Sequence, residues 1–270
     1  MKNAFLSLAV MALVCVSCQR QPRLVILHTN DTHSHFEPVR CGEYASKGGV
    51  IERAALIDSV RNVYGEDKVL LVDAGDFSQG TSYFSELGGE LEISILNDLG
   101  YDCVTLGNHE FDNDIEALEK RLAKLESTKV VSANIDLSQF PISKYVSPYT
   151  VIEKAGFKIG ILGLESNLAA NVSAAISDRI PQLDNLESTN SNAAILKDSL
   201  RCDMVILLSH LGYEEDLALI PGTRNVDLVI GGHSHTFVDD IVYVRDLDSR
   251  KVPVITDGCW GLQVGEIKIW

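Results

Sequence analysis

The chain has 270 residues, 46% of them hydrophobic, and a formal net charge of -15 at pH 7. This length and apolar content are typical of one large α/β domain, or at most two small ones, with a sizeable core. The acidic balance lacks the basic footprint of nucleic-acid-binding proteins, so we expect no binding to nucleic-acid polymers. A nucleotide substrate stays compatible with it, because the charge of a metal site acts locally and can outweigh the global field.

The first residues have the pattern of an export signal. Lys2 precedes an apolar run over residues 4–16, which is too short to span a bilayer, and a polar stretch follows Cys18. The pattern resembles a bacterial lipoprotein signal, with residues 1–18 as the signal segment and Cys18 as the lipid-bearing first residue of the mature chain. It predicts an exported protein of the periplasm or cell envelope, anchored to the membrane through its lipid. An ordinary cleaved signal peptide is the alternative.

From residue 24 onward, apolar runs alternate with helical patterns, which indicates an α/β fold. We predict strands at residues 24–29, 69–74, 103–106, 130–134, 149–153, 158–163, 203–209, 226–230, 241–244, 252–256 and 264–269. We predict helices at residues 49–63, 90–99, 112–125 and 192–200, with a short one before the strand at 226–230. Two later strand pairs have hairpin patterns, so we expect one domain over residues 24–270 with two facing sheets and helices outside.

Metal-capable side chains follow five of the predicted strands, at the point where each strand ends. The five segments are Asp31-Thr32-His33, Gly75-Asp76, Gly107-Asn108-His109-Glu110, Ser209-His210 and Gly231-Gly232-His233-Ser234-His235. In open α/β sheets, ligands bind beyond the carboxyl ends of the strands. We therefore expect the five segments to aim their side chains at one place.

The spacing within these segments suits a small metal cluster. Residues two apart face the same way in an extended segment, so Asp31 with His33, and His233 with His235, can each supply two ligands. The glycines of the segments relieve steric limits where the backbone turns around the site. Carboxylate, amide and imidazole groups suit Zn, Mn, Fe or similar divalent ions. Five of the seven histidines lie in these segments, a clustering that scattered core or surface histidines would not show.

In combination, the segments resemble the calcineurin-like metallophosphoesterase superfamily and, within it, the exported 5′-nucleotidase family. The matching stretches are His28-Thr-Asn-Asp-Thr-His33, Val72-Asp-Ala-Gly-Asp76, Thr105-Leu-Gly-Asn-His-Glu-Phe-Asp112, Leu207-Leu-Ser-His210 and Ile230-Gly-Gly-His-Ser-His235. A later stretch, Asp257-Gly-Cys-Trp-Gly, is similar to the closing segment of that family. The resemblance covers nearly the whole mature chain and implies a four-layer α/β/β/α sandwich of two facing mixed sheets.

The resemblance implies a binuclear centre with two divalent metal ions. Seven matching residues would be the ligands, in two groups that share one bridging carboxylate: Asp31, His33 and His235 for one ion, Asn108, His210 and His233 for the other, and Asp76 for both. Two ions about 3.5–4 Å apart clamp the attacking and leaving oxygens of an in-line displacement. A hydroxide shared by the ions would be the nucleophile, since metal charge lowers its pKa.

His109 and Asp112 would form the catalytic pair of this family. A protonated His109 would stabilise charge on the transferring phosphoryl group or protonate the leaving oxygen. Asp112 would hold the His109 ring and favour its charged form. A simple helix N-cap is the alternative interpretation of Asp112.

The activity implied is hydrolysis of phosphate monoesters, with 5′-nucleotides as the first substrate class. A cyclic-nucleotide phosphodiesterase or a nucleotide-sugar pyrophosphatase at the same site is the alternative. Exported nucleotidases of the family usually carry a C-terminal nucleotide-binding domain, which we expect to be absent because the sequence ends at Trp270. A separate partner protein could supply it, the enzyme could act on phosphoesters with loose selectivity, or its substrate could differ. Loops 37–47 and 167–191 are long enough to shape a substitute pocket. The alternative of another class is a non-catalytic subunit that needs such a partner.

Other polar residues near the motifs are predicted to be structural. We expect His28 to be packed in its strand, His35 to lie near the site without being a ligand, and Glu110 to make structural hydrogen bonds. The acidic residues 214–216 are expected to be a solvated helix start.

Four cysteines lie beyond Cys18 in the sequence. Cys103 and Cys202 lie at or next to the start of apolar strands and are predicted to be buried free thiols. An exported protein could pair the other two, Cys41 and Cys259, and the sequence leaves that pairing open.

Overall fold

A computed structural model of the protein describes residues 21–270, so the predicted signal segment and Cys18 lie outside the described residues. Within that part of the chain, twelve strands form two six-stranded sheets. The strands are β1 Leu24–Thr29, β2 Val69–Asp73, β3 Cys103–Thr105, β4 Lys129–Val131, β5 Val146–Ser147, β6 Tyr149–Lys154, β7 Phe157–Leu164, β8 Met204–Ser209, β9 Leu228–Gly231, β10 Val242–Arg245, β11 Lys251–Ile255 and β12 Gly265–Ile269. Their order is β12-β1-β2-β3-β4-β5 in the first sheet and β10-β11-β9-β8-β7-β6 in the second.

Eight α-helices connect these strands within residues 21–270. They are α1 Val50–Tyr64, α2 Ser82–Leu87, α3 Glu90–Leu99, α4 Ile115–Leu122, α5 Leu168–Asn171, α6 Ala174–Ser177, α7 Asn185–Ala194 and α8 Tyr213–Leu219. A π-helical turn, Ile195–Ser199, continues α7. None of the helices described is both long enough and apolar enough to cross a membrane.

Both sheets are mixed, as predicted. In the first sheet β1 to β5 run parallel, and β12 pairs antiparallel with β1 at the edge. In the second sheet the parallel strands β7, β8, β9 and β11 lie between two antiparallel edge strands, β6 and β10. The two predicted hairpins are confirmed, because β6 pairs with β7 and β10 pairs with β11.

Alternate side chains of one strand pack into different layers, which explains the four-layer architecture. All six residues of β1 are buried. Leu24 and Ile26 face the second sheet and pack in a shared core with residues of β7 and β8, whereas Val25 and Leu27 pack on the other side with Ile57 of α1. A third cluster covers the outer face of the second sheet. Each fully buried Leu or Ile contributes about 1.5–3 kcal/mol, so the core between the sheets holds them face to face.

The predicted loops contain more structure than their sequences indicate. Three short helices, α2, α5 and α6, lie in stretches without a helical apolar pattern. Helix α7 begins at Asn185, seven residues before the predicted start, where the Asp184 side chain accepts a hydrogen bond from the Glu187 N–H. These segments are polar on most faces, so their apolar periodicity is too weak to predict a helix.

Asp216 corrects the prediction for the acidic residues 214–216. They do begin α8, and Glu214 and Glu215 are exposed, but Asp216 is fully buried against β8. Its carboxylate accepts a hydrogen bond of 2.5 Å from Ser209 Oγ. Burial raises the pKa of Asp216 to about 7. Successive residues of an α-helix are rotated by about 100° around its axis, so Asp216 points inward although Glu214 and Glu215 point to solvent.

The histidine and cysteine predictions outside the motifs agree with the structure. His28 is buried in β1, with Nδ1 2.6 Å from the Asp257 carboxylate. Cys103 and Cys202 are buried free thiols. Cys41 is exposed and Cys259 is buried, and both are free thiols as well.

Candidate metal centre

The carboxyl ends of five parallel strands lead into one site between the two sheets. The first sheet contributes the residues that follow β1, β2 and β3, and the second contributes those that follow β8 and β9. A cleft of about 450 Å³ lies over this site, lined in part by His33, Asp76, Asn108, His233 and His235. Asp31 and His210, the two other predicted ligands, lie beneath it and are fully buried. The structure thus brings the seven predicted ligand residues to one place.

Asp76 lies at the centre of the site. Its Oδ2 is 3.1 Å from His210 Nε2 and 3.8 Å from His33 Nε2. Its Oδ1 accepts a hydrogen bond of 2.9 Å from the backbone N–H of His109. One carboxylate therefore faces histidines from three strand ends, in both sheets.

Asp31 makes a second focus beside Asp76. Its Oδ1 is 3.5 Å from His235 Nε2, 3.8 Å from His33 Nε2 and 4.0 Å from His210 Nε2. The Nε2 atoms of His33 and His235 lie 2.9 Å apart. Three sets of ligand atoms within 4.8 Å of one another could each hold a metal ion: Asp31, His33 and His235; His33, Asp76 and His109; and Asp76, His210 and His233.

The backbone of the site is held in a conformation that non-glycine residues rarely adopt. Five of the predicted ligands have φ between 47° and 74°: Asp31, His33, Asp76, His233 and His235. Such strain persists only where surrounding contacts over-determine it, and it clusters at functional sites. Here the backbone N–H of Asp31 donates to Gly75 O and that of His33 donates to Asp76 O, so the loops after β1 and β2 hold each other.

The orientation of His210 fits a metal ligand. Its Nδ1 lies 2.7 Å from the carbonyl oxygen of Ala74 and donates to it, so Nε2 is the nitrogen that faces the acidic residues. A histidine ligand is usually fixed in this way by a backbone carbonyl or a carboxylate. Nε2 of His210 is buried and lies 3.1 Å from Asp76 Oδ2 and 4.0 Å from Asp31 Oδ1. A buried imidazole nitrogen beside two carboxylates suits a site for a divalent cation.

Burial and charge act in opposite directions on the titration of the site. Burial lowers the pKa of His33 and of His233, so both imidazoles are neutral near pH 7, the form that binds metals. Burial alone would raise the pKa of Asp76, but the facing His210 and His33 hold it well below its usual value. Burial also opposes the charge on His210, yet the Asp76 and Asp31 carboxylates raise its pKa well above the ordinary value.

Asn108 reaches the site because the residue before it has no side chain. It opens the 3-10 turn Asn108–Phe111 directly after β3, and its amide oxygen lies 3.4 Å from Ser166 Oγ. A Cβ on Gly107 would clash with Asp76 Oδ1 and would lie 2.6 Å from His210 Nε2. The φ of Gly107 is -116°, which any residue can adopt, so close approach rather than backbone conformation requires glycine here.

His109 and Asp112 face each other at the rim of the cleft. His109 Nδ1 lies 2.8 Å from Asp112 Oδ2, and each side chain is 31% exposed. The hydrogen bond that His109 Nδ1 donates to the Asp112 carboxylate is the main reason that the pKa of His109 is raised. The N-cap of α4 is Asp114, whose side chain accepts from the Ala117 N–H. Asp112 is therefore not the N-cap of that helix. Its side chain instead contacts His109.

Glu110 has the structural role predicted for it. Its carboxylate is fully buried and accepts hydrogen bonds from the backbone N–H groups of Asp76, Ser78 and Gly107. Burial raises its pKa to about 8. It ties the loop after β2 to the loop after β3, so it positions Asp76 without facing the cleft.

Two aromatic residues at the mouth of the site were not predicted as functional. His35 stacks on Trp260, with ring centroids 4.9 Å apart and an interplanar angle of 18°. Both residues line the cleft together with the candidate ligands. Trp260 lies in the family-like stretch that begins at Asp257, but nothing in that stretch indicates a neighbour as distant in sequence as His35.

Comparisons with known proteins agree with this geometry. The family profile described as calcineurin-like phosphoesterase matches residues 24–237. The 5′-nucleotidase of Bos taurus is 34% identical over 91% of this chain and 46% of its own length. The snake venom 5′-nucleotidase of Gloydius brevicauda is 33% identical over 91% and 45%. The crystal structure of a 5′-nucleotidase precursor from Thermus thermophilus superposes with a TM-score of 0.83 and 34% identity, covering 91% of this chain and 51% of that one.

The likeness covers most of this chain but only part of each relative. The chain spans about half the length of the curated relatives it matches. The profile matches most of the chain, and the relatives are more than 30% identical over nine-tenths of it. The chain belongs to the calcineurin-like phosphoesterase family.

Proposed function

We propose that the chain is a binuclear metallophosphoesterase that hydrolyses phosphate monoesters, with 5′-nucleotides as its substrate class and nucleoside and phosphate as products. The observation that carries the proposal is the convergence of carboxylate and imidazole side chains around Asp76, with His109 and Asp112 at the rim. The substrate class is supported by relatives that are named 5′-nucleotidases. Since the chain spans about half of their length, its own activity is part of the proposal.

Two divalent ions of the Zn, Mn or Fe kind fit the donor set. Asp31, His33 and His235 would hold one ion, and His210 and His233, with the amide oxygen of Asn108, would hold the second. Asp76 would contact both. Two of the three groups of ligand atoms that lie within 4.8 Å of one another, Asp31 with His33 and His235 and Asp76 with His210 and His233, support this division. When bound, two such ions polarise phosphoryl oxygens and acidify water.

His109 would offset the negative charge of the phosphoryl group or donate a proton to the leaving oxygen. Its Nδ1 is occupied by Asp112, so Nε2 is the nitrogen left to face a substrate. A histidine that is kept protonated by a neighbouring carboxylate can donate a proton to a leaving alkoxide or offset the charge of a phosphoryl group. Asp112 would fix the ring orientation, as the second member of the pair.

Attachment to the membrane through a lipid on Cys18 is a further part of the proposal. Its support is the sequence pattern of residues 1–18 alone. In cells, we expect the wild-type chain in the membrane fraction and a Cys18→Ser variant in a soluble or unprocessed form. Equal release of both proteins without lipid labelling would favour an ordinary cleaved signal peptide.

Release of phosphate from AMP by the purified chain tests the proposed activity. We expect turnover with added Mn²⁺ or Zn²⁺, and its loss on chelation. Asp76→Asn and His109→Ala should abolish most of it while far-UV circular dichroism stays unchanged. Glu214→Gln, an exposed acidic change, is the control that should keep full activity.

A substrate panel separates the proposal from its alternatives. Exclusive turnover of a 2′,3′-cyclic nucleotide or a nucleotide sugar would replace the monoesterase by one of those activities. Inactivity of the metal-loaded chain towards every ester, with activity restored by a second protein, would support the non-catalytic subunit. Full activity of both site variants would place the chemistry elsewhere.

A further inference from the structure

A second cavity adjoins the metal centre. It has a volume of about 450 Å³, within the range of roughly 300–1,000 Å³ that is typical of small-molecule sites. His35 and Trp260 line both this cavity and the cleft over the metal ligands. A ligand that contacts His35 and Trp260 could therefore extend from this cavity into the cleft over the metal ligands.

The walls of the second cavity are mainly aromatic and apolar. On one side the His35 and Trp260 rings are stacked, 4.9 Å apart. On the other side Phe36 and Tyr83 meet edge to face, with ring centroids 5.3 Å apart. The rest of the lining consists of residues 37–41 together with Ser34, Thr81 and Ser82. We call this space the aromatic cleft, defined by His35, Phe36, Tyr83 and Trp260.

Trp260 is held in place by a contact with the metal centre itself. Its φ of 61° is unusual for a bulky residue, and its backbone N–H donates a hydrogen bond of 2.7 Å to the carbonyl oxygen of Asp31. Strain of this kind is retained where the surrounding structure over-determines the conformation. The indole is therefore positioned relative to a candidate metal ligand, not merely packed on a loop.

The opposite wall is also pre-formed. The N–H of Val50 donates to Phe36 O, and the Thr81 hydroxyl donates to Ser34 O. At the rim, the Tyr83 hydroxyl donates a hydrogen bond of 3.0 Å to the Glu37 carboxylate, which also pairs with Arg40. A cavity built in advance loses little conformational entropy when a ligand enters it.

We propose that the aromatic cleft binds a planar ring of the substrate's leaving group, namely a nucleobase, while the phosphate lies at the metal centre. This inference rests on the proposed function and names how the described domain would select nucleotides. Aromatic side chains stack on any nucleobase, whichever base it is, since every base has a π-face. Selection for a ring, rather than for one particular base, follows because aromatic side chains form the wall shared with the metal centre, while the charged Glu37 and Arg40 pair with each other.

Kinetics with matched substrates test the cleft. For Trp260→Ala we expect KM for AMP to rise roughly tenfold, the usual scale of a lost base–aromatic stack, with kcat nearly unchanged. Turnover of glycerol 2-phosphate, which has no ring, should stay at the wild-type level. Trp260→Phe should restore most of the AMP affinity, and Trp270→Ala, at an exposed position, is the matched control. An equal loss for both substrates would overturn the proposal and make Trp260 a structural support.

Binding without catalysis keeps the inference separate from the proposed function. A full-length Trp270→Phe variant retains Trp260 as its one tryptophan. In the presence of a chelator, we expect adenosine to quench its fluorescence saturably, and ribose to have no effect. Saturable quenching in a chain that hydrolyses no ester would uphold the cleft while the proposed activity fails. No saturable change with adenosine, in a chain that does hydrolyse AMP, would overturn the cleft alone.

Discussion

The floor of the metal centre and its mouth differ in how their side chains are held. On the floor, the side chains of Asp31 and His210 are 0% exposed and that of Asp76 is 3% exposed. At the mouth, His109 and Asp112 are each 31% exposed and bond to each other. Floor residues also bond to the backbone, since Asp31 accepts from the N–H of His233 and His210 donates to Ala74.

This contrast separates two kinds of function. A floor side chain holds loops of both sheets together as well as facing the candidate metal positions, so its replacement should lower stability, metal binding and activity together, with the secondary structure retained. A mouth side chain can be replaced without disturbing the loops beneath it. Changes there should affect the reaction alone.

Asp76→Asn should have the largest effect, because one carboxylate faces His33, His210 and both candidate metal positions. Changes outside the inner ligand set of a metal site typically cost 10–100-fold, so we expect a loss on the order of a thousandfold in phosphate release here. The variant should also bind less metal, measured by inductively coupled plasma mass spectrometry after dialysis. Normal metal content with normal turnover would contradict the central place of this residue.

His109→Ala should lower kcat by about 10²–10⁴, the usual range for a missing general acid, while metal content stays at the wild-type level. Asp112→Asn should have a smaller effect in the same direction, because the imidazole remains but loses its partner. The readout is kcat for AMP beside metal content on the same samples. Loss of metal from either variant would remove the distinction between floor and mouth.

Gly107→Ala tests how tightly the floor is packed. The added methyl group would meet Asp76 and His210 at under 3 Å, so we expect a stability loss of about 1–3 kcal/mol and a clear drop in activity. Gly156→Ala is the matched control, because its Cβ would meet nothing within 4 Å and the hairpin lies away from the site. That control should retain activity, in spite of the positive φ of Gly156. Urea unfolding and AMP turnover of both variants make the comparison.

Asp216→Asn should have the smallest effect and should leave the mouth untouched. Burial raises the pKa of Asp216 from 3.8 to about 7. Stability from the protonated carboxyl is present in full below pH 3.8 and is lost as the pH rises towards 7, since the unfolded chain then releases a proton that the folded chain keeps. The variant should therefore gain in melting temperature over the wild type between about pH 4.5 and 7.5. Glu214→Gln on the same helix should show no such trend.

The sequence predicted features that depend on local signals better than features that depend on packing. β1 and α3 have the predicted bounds, because apolar runs and a glycine stop are local signals. The predicted start of α7 and the predicted exposure of Asp216 were wrong. A polar helix and an inward-facing carboxylate depend on what packs against them, which the local sequence does not show. At the site, the motifs marked the seven ligand candidates and the His109–Asp112 pair, whereas the His35–Trp260 stack was missed.

The sequence by itself determined the alternation of strands and helices, the family and the polar segments that close five strands, because each depends on residues near one another in the chain. Only the tertiary structure decided which of these side chains face each other. The distance between Asp31 and His235 and the wall formed by His35 and Trp260 arise where the two sheets pack. Such contacts join residues far apart in sequence, and the burial of a shared apolar core positions them.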